Sequence, residues 1–201
     1  MPFQIIDATG NVKTARTVTG GALLAAQNTF SNTSGQIIQG PLDLTAATAG
    51  QIKFPASQNA SADVNTLDDY EEGTWTPVIG GASSTSGQTY LQQVGYYIKI
   101  GQMVMAWFYP YLTAKGTMTG AVGIHGLPFT SLSGMIGGGG SIYYVNTATN
   151  WYVIGCLMDS NATSATLFGT STLGVSSVQL AAADIGNGTA MLGAVYYRAS
   201  A

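Results

Sequence analysis

Tyr90-Leu91-Gln92-Gln93-Val94-Gly95-Tyr96-Tyr97-Ile98-Lys99-Ile100-Gly101 decides the fold class. Aromatic and β-branched side chains crowd this stretch and suit a pleated, half-buried surface, and it reads as strand, turn, strand. Working outward, further strands are expected at 103–112, 120–124, 141–145, 151–158, 165–168 and 190–198, with Gly, Ser, Thr and Asn clusters between them. Many short strands at this spacing predict an all-β head over 75–201, built as a β-sandwich or jelly roll. The tract 131–140, ending in four glycines, divides the head and reads as a loop or a close backbone contact. No repeat period is visible, so a solenoid or propeller is not expected.

Toward the N-terminus the pattern thins. Residues 1–62 are rich in Thr, Ala, Asn, Gln and Gly, and their apolar patches are too short for a core of their own. Short strands completed by neighbouring copies are expected there, as an extended trimeric stalk that anchors the protein, with a short helix at 22–27 as an alternative for that segment. Between stalk and head, residues 63–74 form an acidic joint carrying Asp63, Asp68, Asp69, Glu71 and Glu72. Thr66 can cap a single helical turn over 67–72, with Gly73 as its exit. Trp75 follows, placed to lock stalk to head.

The composition explains why copies should associate. Of 201 residues, 46% are hydrophobic and only 7% are charged, against about 25% charged in typical soluble domains. Disorder couples low hydrophobicity to high net charge, and neither holds here. Much of the surface is therefore expected to lie against other copies. Beyond Gly73 the full charges are Lys99, Lys115, Asp159, Asp184 and Arg198, too few for a phosphate-neutralising stripe, so no nucleic-acid partner is expected. No apolar run approaches the roughly 20 residues of a spanning helix, so membrane insertion is not expected either. The start lacks a basic region followed by an apolar stretch, which predicts synthesis in the cytoplasm without classical secretion. The one cysteine, Cys156, sits in an apolar run and reads as buried and inert.

Catalytic chemistry finds little to work with. His125 is the only histidine and has no nucleophile setting around it. The joint acids lack calcium-loop spacing, which leaves no metal site assigned, although an axial calcium between copies is conceivable. Asp159 and Asp184 are the only carboxylates in the head, and one chain would need two facing a groove to cleave a glycoside. The glycine tract lacks the Lys-Ser/Thr of a phosphate loop. No catalytic residue and no cofactor are therefore expected. Aromatic side chains remain as the functional signal, because sugar rings stack on Trp and Tyr faces while Asn, Ser and Thr meet the hydroxyls. The candidates are Trp107, Tyr109, Tyr111, Tyr143, Tyr144, Trp151 and Tyr152. Strand alternation should turn about half of them inward, toward the core or a neighbouring copy.

Leu67-Asp68-Asp69-Tyr70-Glu71-Glu72-Gly73-Thr74-Trp75-Thr76-Pro77 resembles a motif of bacteriophage tail-fibre and related virion proteins. The resemblance continues through Tyr96-Tyr97-Ile98-Lys99-Ile100-Gly101, similar to that family's Tyr-rich hairpin, and through the turn Gly126-Leu127-Pro128-Phe129. With the lead-in Ile52-Lys53-Phe54-Pro55-Ala56-Ser57-Gln58 it covers residues 51–130. It implies a homotrimeric fibre or spike in the virion tail, made in the host cytoplasm. Its N-terminal part would dock on other phage tail or capsid proteins, and its head would face the host surface. The expected function is attachment to a host-surface glycan without hydrolysis. The alternatives are a purely structural or decorating virion protein, such as a head fibre or tail adaptor, and a depolymerase whose carboxylates come from two neighbouring copies.

Overall fold

A computed structural model describes residues 52, 54, 66–67, 69–134 and 138–200. Apart from Ile52 and Phe54, the expected stalk over 1–62 lies outside the described residues, as does the segment 22–27. What is described is all-β, as expected. Its strands are β1 (Tyr70–Trp75), β2 (Val78–Gly81), β3 (Thr89–Ile100), β4 (Met103–Ala114), β5 (Val122–His125), β6 (Gly138–Asn146), β7 (Val153–Met158), β8 (Ser164–Thr170), β9 (Val178–Gln179) and β10 (Ala190–Arg198), with a single 3-10 turn at Ala182–Asp184.

Every pairing is antiparallel, and the strands form one sheet in the order β1-β3-β4-β10-β6-β7-β8-β5-β2, with β9 beside β8. Strands β1 and β2 stand at opposite ends of this order, yet only Thr76 and Pro77 separate them in the chain. Two residues of backbone reach only ~7 Å, so the sheet must curl until its first and last strands meet. The expected facing layers are thus the two halves of one continuous curled sheet.

Inside the curl lies a single core, and β4 shows how the sequence builds it. Val104, Ala106, Phe108 and Leu112 are buried, while Met103, Met105 and Trp107 between them are exposed, the period of two that a strand with one wet face requires. Pro110 sits in this central strand without cost to the ladder. The β4–β10 register has pairs at Phe108↔Gly193 and Tyr111↔Ala190 and none at Pro110, so the missing N–H falls where no ladder bond is made.

The quoted stretch is one strand, not two. β3 runs through Gly95, and the turn comes after it, at Gly101, which adopts φ 54°. A Cβ on Gly95 would come within 2.5 Å of the Trp75 indole nitrogen. Glycine here makes room for a side chain, a use of strand glycine that local sequence cannot distinguish from a turn. Trp75 is buried, donates its indole N–H to the carbonyls of Tyr96 (3.2 Å) and Trp107 (3.0 Å), and meets Phe108 edge-on at 6.3 Å. Its lock therefore closes β1 against β3 and β4 within the head.

The helical turn expected over 67–72 is also overturned. Tyr70, Glu71 and Glu72 belong to β1 and pair with Ile100, Lys99 and Ile98, so the second half of the acidic joint is built into the head. A lone helical turn fixes many dihedrals for little return, whereas β1 gains a full ladder and buries Asp69 in an ion pair with Lys99. The Asp69 carbonyl also accepts the Gly101 N–H at 3.0 Å.

These contacts give a physical reason for the three separated motifs to occur together. Asp69 and Glu71, from the first, bond to Lys99 and the Tyr97 hydroxyl, from the second. Phe129, from the third, lies under the Lys99 ammonium (5.4 Å to the ring centre) and edge-on to Tyr97 at 5.2 Å. The Tyr197 hydroxyl then donates to the Phe129 carbonyl and accepts its N–H. Burial and its bond to Glu71 push the Tyr97 phenol up to about 12, and burial pushes that of Tyr197 up to about 12 as well.

Of the two readings of the glycine tract, close contact holds over Gly138–Gly140, which open β6. A Cβ on Gly140 would fall 2.0 Å from the Ala194 carbonyl oxygen and 2.9 Å from Cys156 Sγ. Gly140→Ala is therefore expected to cost about 1–3 kcal/mol by overpacking against backbone that cannot move aside, measured by chemical denaturation. Gly134→Ala, with nothing within 4 Å, is the control that carries only the φ penalty.

Candidate functional site

Strands β6 and β7 pair only at Gly139↔Leu157, Gly140↔Cys156 and Ser141↔Gly155. Beyond Ser141 they diverge, because β6 continues along β10 as far as Asn146↔Ala190, across a register shift at Leu192/Gly193. The chain returns to β7 through 147–152. The space between the splayed strands is a groove of about 490 Å³ lined by Tyr143, Asn146, Thr147, Thr149, Asn150, Trp151 and Tyr152 over an aliphatic floor of Ile142, Val153 and Ile154.

The loop that walls the groove is tethered. Ala148 N–H donates to the Asp184 carbonyl (2.8 Å), Tyr152 N–H to that of Thr170 (2.9 Å), and the Asn146 amide to that of Gly188 (3.0 Å). The Thr147 hydroxyl closes the loop on the Thr149 carbonyl at 2.6 Å. Trp151 packs partly against the core, over Gly169, where a Cβ would stand 2.5 Å from its ring. Its indole nitrogen is buried and has no hydrogen-bond partner, an unmet donor of the kind that costs about 1–3 kcal/mol. Tyr143 and Tyr152 are 72% and 66% exposed. Two open phenol rings, the Trp151 ring, and amides and hydroxyls thus line one groove in which the only ionisable groups among the described residues are the tyrosine phenols. Such a lining can stack on and hydrogen-bond to a neutral polyhydroxylated ligand.

The seven aromatic candidates fall into two groups. Tyr143, Trp151 and Tyr152 line the groove, and Tyr144 stands on β6 opposite Leu192. Trp107, Tyr109 and Tyr111 lie on the outer side of β4, with Tyr109 and Tyr111 half-buried, and take no part in the groove. Asn146, Thr147, Thr149 and Asn150 were not among the candidates. Their signal was an amide- and hydroxyl-rich run set between aromatic pairs.

The titratable residues weighed earlier have structural partners. Half-buried His125 has Nε2 3.3 Å from the Gly80 carbonyl oxygen. Asp159 accepts the hydroxyls of Ser164 (2.5 Å) and Thr166 (2.8 Å), and Asp184 accepts the Ala181 N–H (2.8 Å) at the 3-10 turn. Cys156 is buried, and burial pushes its thiol up to about 12, which keeps it un-ionised. Among the described residues no three His, Cys, Asp or Glu side chains gather as a metal site would require, and no helix is long and apolar enough to cross a membrane.

No protein-family model matches the chain, and none of the curated proteins matches it significantly. Among solved structures it is similar to the Dettilon tailspike protein gp208, with a TM-score of 0.54 at 14% identity over 65% of this chain. The likeness is one of fold. The chain spans about a quarter of that protein's length, the match covering 24% of it.

Proposed function

We propose that this chain is a homotrimeric bacteriophage tail-fibre or spike component, made in the host cytoplasm. It docks on other tail or capsid proteins through its N-terminal region and attaches to a host-surface glycan through the β6–β7 groove without hydrolysing it. The observation that carries this reading is the groove, where Tyr143, Trp151 and Tyr152 stand with amides and hydroxyls and no carboxylate is among the described lining residues. Glycoside cleavage requires a positioned pair of carboxyl groups, and the described acids are taken up elsewhere: Asp159 by Ser164 and Thr166, Asp184 by Ala181, Asp69 by Lys99, Glu71 by Tyr97 and Glu72 by Tyr70. The motifs that resemble phage virion proteins, and the fold shared with a tailspike, support the virion setting.

The test is binding of the full chain to immobilised bacterial surface polysaccharides. Tyr143→Ala and Tyr152→Ala are each expected to weaken binding about tenfold, the equivalent of ~1.4 kcal/mol, because both rings are exposed and their loss leaves the core intact. Trp107→Ala should bind normally, and no new reducing ends should appear. Absence of any polysaccharide binding would favour a purely structural virion protein, and release of reducing ends would favour a depolymerase.

A further inference from the structure

The outer face of β3, β4 and β10 places large apolar side chains in register. Tyr96 stands beside Trp107, Ile98 beside Met105, Ile100 beside Met103, and Met105 again beside Tyr196. Tyr96, Ile100, Met103, Met105, Trp107 and Tyr196 are each between 36% and 58% exposed. A large side chain presents roughly 150–250 Å² when open, so these six expose on the order of 500–600 Å². That is at the upper end of the ~300–600 Å² of the largest apolar patch on a typical monomer, a size often tied to function. With half-buried Ile98 and Tyr109 beside them it approaches the ~800 Å² per partner of a stable interface.

The chemistry of the patch selects its occupant. Methionine and isoleucine make up half of these eight side chains and Tyr and Trp the other half, with no Asn, Ser or Thr among them. Its charges stand at opposite margins and have opposite signs: Glu72 on β1, across from Ile98, and Arg198 on β10, across from Met103. An apolar centre with a polar rim is the anatomy of a protein interface, and unlike margins allow one copy's acidic rim to meet the basic rim of the next. We infer that this face is the surface through which copies of the chain pack against one another in the head. The inference deepens the homotrimer reading and rests on it. It gives Trp107 and Tyr109 an intersubunit role in place of a receptor-binding one.

Peroxide oxidation of the full chain, read residue by residue by mass spectrometry, tests it. Met103 and Met105 are expected to oxidise at least tenfold more slowly than in the urea-unfolded chain. Met105→Lys, an exposed substitution that should leave the circular dichroism unchanged, is expected to restore fast oxidation at Met103 even if other segments still hold the copies together. Oxidation of both methionines at the unfolded rate in a chain that sediments as a trimer would overturn the interface and leave the trimer standing. A chain that sediments as a monomer would overturn both, and protection within such a monomer would assign the cover to the chain's own N-terminal residues. Continued protection of Met103 in the Met105→Lys protein would also overturn the assignment.

Discussion

Asp69→Ala is expected to lower the unfolding free energy by about 3–5 kcal/mol, the cost of breaking a buried ion pair. The side chains of Asp69 and Lys99 are 6% and 5% exposed, so the Lys99 ammonium loses this carboxylate where water replaces it poorly. The Phe129 ring faces the same ammonium at 5.4 Å, a cation–π contact worth ~0.5–2 kcal/mol. Replacing both residues, Asp69→Leu with Lys99→Met, should recover most of the loss, because an apolar pair of similar volume buries no charge. Urea denaturation of the three proteins decides the matter. A single-site loss under about 1 kcal/mol would mean that the pair behaves as a surface bridge and that the motif does not clamp β1 to β3.

Phe108→Ala should be similarly severe, at about 3–5 kcal/mol. Its ring lies inside the curl, edge-on to Trp75 at 6.3 Å, and a Cβ on Gly193 would stand 2.8 Å from it. It therefore touches β1 and β10 from β4, three strands that a single truncation would loosen together. Gly193→Ala should itself be destabilising, since its Cβ would also stand 2.5 Å from the Ser141 carbonyl oxygen, but less so in the Phe108→Ala background, a coupling that a double-mutant cycle reads directly. If the two substitutions were additive, the packing between β4 and β10 described above would be contradicted.

These two residues also mark what the sequence could and could not disclose. Phe108 lies in a twelve-residue strand of clean alternation, and β4 was legible because its period of two persists over many residues. β1 was read as a helical turn because its acids and Thr66 satisfy the local rules of capping. The competing ion-pair partner of Asp69, Lys99, lies 30 residues away. β2 and β9, of four and two residues, are too short to carry a period. Gly95 misled for a different reason, since the ring that fills its missing side chain comes from Trp75.

For the site, the residue types were legible and their grouping was not. Aromatic rings stood out, yet nothing in the local pattern says that β6 and β7 separate after three pairs, which is what makes the groove. Nor could local reading set Trp107, within β4, apart from Trp151, just ahead of β7, since both stand in apolar surroundings. Their difference lies in which face of the curled sheet each occupies and in which neighbours share it.

The protein has three tryptophans, so the indole N–H region of its NMR spectrum holds three assignable signals and tests the groove directly. Titration with a bacterial surface polysaccharide that the protein binds is expected to move the Trp151 signal, because Trp151 lines the groove. The Trp75 signal, already bonded to the carbonyls of Tyr96 and Trp107, should stay in place. Saturable binding that leaves Trp151 unmoved while Trp107 shifts would place the ligand on the other face and contradict the assignment of the groove.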